Sequence, residues 1–187
     1  MFVAKQTGNA AQGSIVAGNQ TNTVINNNAQ QSPLSRLYEK FREANAGLPY
    51  TAQISDQLQH YCATETDGDV RGLAEKLKTS DRDDLLVKAS QLKEAAAKKI
   101  TRWQTSGAAQ DILTVVLANL CSEFLLHITP AIQAGEPRAA VDALISEKVI
   151  NPTAAMLGEN DLLLTKFDLM GLLFFLGGNC HVRWDAC

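Results

Sequence analysis

The sequence predicts an all-α protein, with a single multi-helix domain over residues 32–187 preceded by a short β-prone or disordered arm over residues 1–31. Three observations carry this reading. Apolar residues recur at three- and four-residue intervals through most of the chain, the spacing that lines one face of a helix. Ser, Asn or Thr stands before these runs, and Pro or Gly separates them, as helix caps and stops do. The first 31 residues are rich in Asn, Gln, Gly and Thr, with no Asp or Glu and the single cation Lys5, unlike everything that follows.

Within the arm, Thr7–Val16 aligns with Ala17–Asn26 at a ten-residue period, so that Gly8-Asn9 recurs as Gly18-Asn19 and Ile15 as Ile25. Gly-Asn steps favour turns because both residues tolerate positive φ, while Ser-Ile-Val and Thr-Val-Ile are β-branched runs suited to strands. Two readings stay open. Copies of the arm could stack, with Ile15, Val24 and Ile25 buried and Asn19 and Asn22 in polar ladders, or the arm could be a disordered leader.

The helical body starts at Ser32, an N-cap followed by Pro33, where a missing N–H costs nothing. Leu34, Leu37, Tyr38 and Phe41 then share one helix face, and Gly47-Leu48-Pro49 ends that helix. Ile54, Leu58, Tyr61 and Cys62 form a second stripe; Val70, Leu73 and Leu77 form a third after the turn-prone Thr66–Asp69. Residues 82–104 are dominated by strong helix formers and read as one long helix. Residues 108–134 read as another, apolar over most of its circumference and so central, with Pro130 kinking or ending it. Gly135-Glu136-Pro137 restarts the chain into a helix through Val149, and Asn151-Pro152 looks like a fresh cap-plus-proline start. The last helix follows Thr165, paired with Asp168 in a capping box, and stops at Gly177-Gly178.

With 45% hydrophobic residues and a formal net charge of −3, bulk charge gives no reason to expect strong attraction to nucleic acid or anionic lipid. The start of the chain lacks the apolar core of a secretory signal, so the expected compartment is the cytoplasm. The apolar stretches 112–128 and 169–178 invite a membrane reading, but the first carries Asn119 and Glu123 and the second is about half a bilayer span. Both are expected to be buried core helices. Cys62, Cys121, Cys180 and Cys187 lack the dense spacing of a disulfide scaffold and are expected as free thiols.

Catalytic signatures are weak. There is no phosphate-cradling Gly loop ending in Lys-Ser or Lys-Thr, no nucleophile elbow and no His-Glu-x-x-His helix. Gly171 and Gly177-Gly178 read as packing and capping residues. His60 near Cys62, and Cys180-His181 with Cys187, raise a zinc hypothesis that lacks the usual paired knuckle spacing. Adjacent Cys180 and His181 seldom direct their side chains at one another, and Asp83-Asp84 and Glu159 with Asp161 sit where carboxylates favour helix starts. No catalytic residue, cofactor or metal is therefore expected. Lys88, Lys93, Lys98, Lys99 and Arg102, opposed by Glu94 and beside Trp103, form a basic stretch that could follow a phosphate backbone, although such stretches are more often solvated helix surface.

The run Gly171–Trp184 joins a hydrophobic helix to a polar aromatic tail, and it resembles the ending of helical components of bacterial ABC-three-component systems. The stretches Leu58–Tyr61, Val70–Leu77 and Lys93–Lys98 are similar too, extending the likeness over most of residues 32–185. The resemblance implies a Lamassu-like conflict or anti-phage defence complex built around an ABC ATPase like those that maintain chromosome structure. Such helical domains carry a variable effector; here only the arm occupies that position, and the resemblance supplies no catalytic residue. The arm is more loosely similar to bacterial amyloid-signalling repeats. The expected function is non-enzymatic. The body would dock to the ATPase or other operon products through Phe174, Phe175, Arg183 and Trp184, and the arm would form homo-oligomers through Ile15, Asn19, Asn22, Val24 and Ile25. The alternative is a nucleic-acid-binding accessory or regulatory protein using Lys98, Lys99 and Arg102.

Overall fold

The computed structural model describes residues 33–45, 54–65 and 71–185, and all their regular secondary structure is helical. The arm, including Ile15, Asn19, Asn22, Val24 and Ile25, lies outside the described residues. Helix α1 spans Pro33–Asn45, α2 Asp56–Cys62 and α3 Leu73–Thr79. A 3-10 turn, Asp83–Leu85, leads into α4, Leu86–Trp103. Helix α5, Gly107–Glu123, continues through a π-helical segment, Phe124–Ile128, into α6, Thr129–Gln133. Likewise α7, Arg138–Leu144, continues through a second π segment, Ile145–Ile150, into α8, Asn151–Leu157. Helix α9, Lys166–Gly178, closes the fold.

The centre is α9, whose Leu169 and residues 171–177 are all buried. A helix apolar all round needs neighbours on every side. Here α4 packs along it most extensively, with α3, α5, α8 and the second π segment filling the remainder. Gly171 lets α4 come close, since a Cβ there would stand 2.6 Å from the Leu92 carbonyl oxygen and 3.3 Å from the Ala96 methyl. Gly171→Ala would gain helix propensity of up to about 1 kcal/mol. The backbone clash outweighs that gain, and a net loss of about 1–2 kcal/mol is expected from overpacking, read as a lower urea midpoint with an unchanged m-value.

Helix α9 begins as its sequence indicates. Thr165 and Asp168 form a reciprocal capping box, and Leu164 and Leu169, at the staple positions, are both buried. Its far end is closed by Lys76 of α3, 1% exposed, whose ammonium donates to the Gly177 carbonyl oxygen at 2.7 Å. A cation at a helix C-terminus satisfies an orphan carbonyl and complements the dipole.

The continuous helix Gly107–Gln133 is long and apolar enough to cross a membrane by length and composition. Its Ile112, Leu113, Val116, Leu117, Leu120, Phe124 and Ile128 are buried among the chain's own helices. Asn119 is satisfied across the core, its side-chain amide donating to Thr153 Oγ1 of α8 at 2.9 Å.

The expected breaks at Pro130 and Asn151-Pro152 are not breaks. Both helices run through their prolines, each directly after a π segment. The residue before each proline, Thr129 or Asn151, donates its N–H five residues back, to Phe124 or Ser146. The wider turn accommodates a ring that would collide with the i−4 carbonyl of a regular helix. Asn151 caps nothing; its side chain accepts from Lys166 Nζ at 2.7 Å.

Candidate functional site

The C-terminal residues that the sequence marked as partner-binding are mostly interior. Phe174, Phe175 and Trp184 are 5%, 8% and 3% exposed, so they pack on the chain's own body rather than present a free surface. Trp184 meets Phe124 edge-on at 5.3 Å between centroids and stacks beside Phe174 at 5.5 Å. Gly177 provides its seat, because a Cβ there would run into the indole. Arg183 is half-buried.

Two of these residues nevertheless line an opening. A cavity of about 230 Å³ has Leu85, Ile145, Ile150, Leu173, Phe174 and Trp184 among its apolar walls, with Met170 beside them. Ser146, exposed on the second π segment, lines it as well. π turns often occur at functional sites, and this one holds Ile145, Ser146 and Ile150 along one side of the cavity.

The polar wall is a braced network. Arg82, 3% exposed, donates to Asp142 Oδ1 through Nη2 at 2.8 Å and to the Ser80 carbonyl oxygen at 2.9 Å. Arg138 grips both oxygens of Asp84 at 2.7 and 2.8 Å and reaches Asp142 Oδ2 at 3.3 Å. The hydrogen bonds that Arg138 donates hold the Asp84 carboxyl below its ordinary value, and acceptance of them by Asp84 and Asp142 pushes the guanidinium higher. The start of α7 is thereby fixed against the start of α4.

The basic stretch of α4 is divided among structural tasks. Lys99 bonds Asp168 at 2.8 Å and the Leu163 carbonyl oxygen at 3.3 Å. Burial opposes charge on Asp168, but Lys99 and Thr165 outweigh it and hold that carboxyl below its ordinary value. Lys93 lies along Gly178, and Lys88 stands over the Phe167 ring at 5.9 Å. Lys98 pairs with Glu94 at 2.6 Å, and Arg102 lies over the Trp103 ring at 5.4 Å. Lys98 and Arg102 remain exposed, whereas Lys99 is committed to the α4–α9 contact.

Beyond α9 the chain clasps the end of α2. Asn179 Nδ2 donates to the Tyr61 and Cys62 carbonyl oxygens at 3.0 and 3.3 Å, and the Glu65 N–H returns a bond to the Asn179 carbonyl oxygen at 3.0 Å. Arg71 and Asp185 pair at 2.6 Å. This clasp gathers His60, Glu65 and His181, whose ligand atoms all lie within 4.8 Å of one another. The zinc hypothesis named both histidines but missed Glu65, which sits in irregular chain without a sequence signal. Cys62 and Cys180 are not part of this cluster, Cys180 Sγ pointing instead to the Arg71 carbonyl oxygen at 3.7 Å, and Cys187 lies outside the described residues. Burial pushes the Cys62 thiol up, and burial with the Glu65 charge does the same to Cys121, which disfavours the thiolate a nucleophile requires.

Comparison with known proteins adds one match. The family model describing C-terminal domain 9 of the ABC-three component (ABC-3C) systems matches residues 72–184, from the start of α3 through Trp184, and so takes in the cavity and most of the clasp. No curated protein and no solved structure matches. A match over more than half of the chain, with the fold's central helix inside it, places the chain in the family of ABC-three-component C-terminal domains.

Proposed function

We propose that the chain is a non-enzymatic assembly subunit of a bacterial, Lamassu-like anti-phage defence complex, working in the cytoplasm. Its body docks to the ABC ATPase or another subunit of the system, and its arm joins copies of the chain. The observation that carries the docking reading is the apolar cavity between the second π segment and α9. At about 230 Å³ it is smaller than ordinary small-molecule sites and suits one or two large apolar side chains. A buried anchor of that kind, set beside a fixed charge network, is how a few residues supply most of an interface's affinity.

Co-expression with the other subunits of the system, followed by size-exclusion chromatography with light scattering, tests this. A single species with the summed mass is expected; separate species at high concentration contradict it. Self-association is tested separately. Deleting residues 1–30, or combining Ile15→Asp with Ile25→Asp, should lower the oligomer mass while the circular dichroism stays helical. Charges placed in each stacked layer repel, so the double substitution should act like the deletion. An unchanged mass in both variants removes the arm as the assembly element.

A further inference from the structure

We propose that His60, Glu65 and His181 form a binding site for a divalent transition-metal ion, zinc by preference. The side chain of His181 is 2% exposed, and both of its ring nitrogens face oxygen acceptors: Nε2 is 3.1 Å from the Ala63 carbonyl oxygen and Nδ1 is 3.2 Å from Glu65 Oε1. A neutral imidazole carries a single N–H. With that N–H on the Ala63 carbonyl oxygen, the Nδ1 lone pair is aimed at a carboxylate, and only a cation between the two makes the contact favourable. A proton would suffice for two groups. The third explains more, because the His60 ring lies 5.2 Å from that of His181 and its donor atom falls in the same cluster.

Other features match what a zinc site requires. Two imidazoles and a carboxylate are a donor set that zinc takes with a fourth position left open. The His181–Ala63 bond is the outer contact that fixes a ligating imidazole's tautomer and orientation. Bonds of about 2.1 Å at tetrahedral angles place ligand atoms about 3.4 Å apart, so atoms now within 4.8 Å of one another need to close by about 1.4 Å at most. His60 and Glu65 are exposed and can supply that movement, while His181 stays anchored. The ion would tie the clasp after α9, inside the family-matched region, to α2 and the chain after it, outside that region.

The test uses full-length, tag-free, chelator-treated protein titrated with zinc by calorimetry and with cobalt by absorption spectroscopy. One zinc per chain is expected, with a cobalt spectrum typical of nitrogen and oxygen ligands and without thiolate charge-transfer bands. His60→Ala and Glu65→Gln alter exposed side chains, so their folds should survive, as circular dichroism will check. Each should weaken binding at least about tenfold. Absence of stoichiometric zinc binding by the unaltered protein, strong thiolate bands, or unchanged affinity in both variants would overturn the proposal.

Discussion

Replacing Trp184 with Ala is expected to cost about 3–5 kcal/mol of folding stability, the usual range for truncating a buried aromatic side chain. The indole is 97% buried by its 3% exposure, holds Phe124 and Phe174 in ring contact, and rests on Gly177. Its neighbours belong to α5's π extension and to α9, two rigid elements that cannot collapse into the void, so the upper part of the range applies. Domains of this size are stable by about 5–15 kcal/mol in total, so a large share is lost. The melting temperature should fall by roughly 6–20 °C. Trp184→Phe, which keeps a ring in the seat, should lose less than half as much. Urea unfolding followed by circular dichroism measures both. A loss below about 1 kcal/mol for the alanine variant would mean that the tail is an appendage rather than part of the core.

The helices were legible because they obey local rules. The stripe Leu34, Tyr38 and Phe41 is buried as its spacing requires, the Thr165–Asp168 box caps α9, and the long helices expected over 82–104 and 108–134 are found as Leu86–Trp103, after a 3-10 turn, and Gly107–Gln133. The prolines misled because the local rule treats a ring as a stop, whereas the π turns ahead of Pro130 and Pro152 let tertiary packing keep each helix running. Hydrophobicity marked Phe174, Phe175 and Trp184 for burial but carried no information on whether their cover was the body or a partner. Nothing local in the sequence marks Lys76 and Arg82 for burial, because each is buried through acceptors that only the folded chain brings to it. The His60–His181 pairing spans the domain in sequence, and no periodicity links residues so far apart. Glu65 joins them only once the clasp has formed.

The second large effect concerns the cavity. Ser146 is exposed on the second π segment and lines the opening, so Ser146→Trp should fill it without disturbing the core. Blocking the seat of an anchor residue removes an interaction of about 2 kcal/mol or more, which is roughly 30-fold or more in affinity. The same variant should melt within a degree or two of the unaltered protein, since surface substitutions seldom change stability by more than about 0.5 kcal/mol. Lys98→Glu with Arg102→Glu is the matched control. It reverses the exposed charges of α4 and should leave the complex intact if docking is through the cavity.

The most direct measurement is the equilibrium affinity of the full-length chain for the ABC ATPase subunit of its system, determined by calorimetry for the unaltered protein and these two variants at one salt concentration. Measurable binding is expected for the unaltered protein and the α4 double variant, with at least about a 30-fold loss for Ser146→Trp. Equal affinity for the unaltered and Ser146→Trp proteins, or a loss confined to the α4 variant, would contradict docking through the cavity.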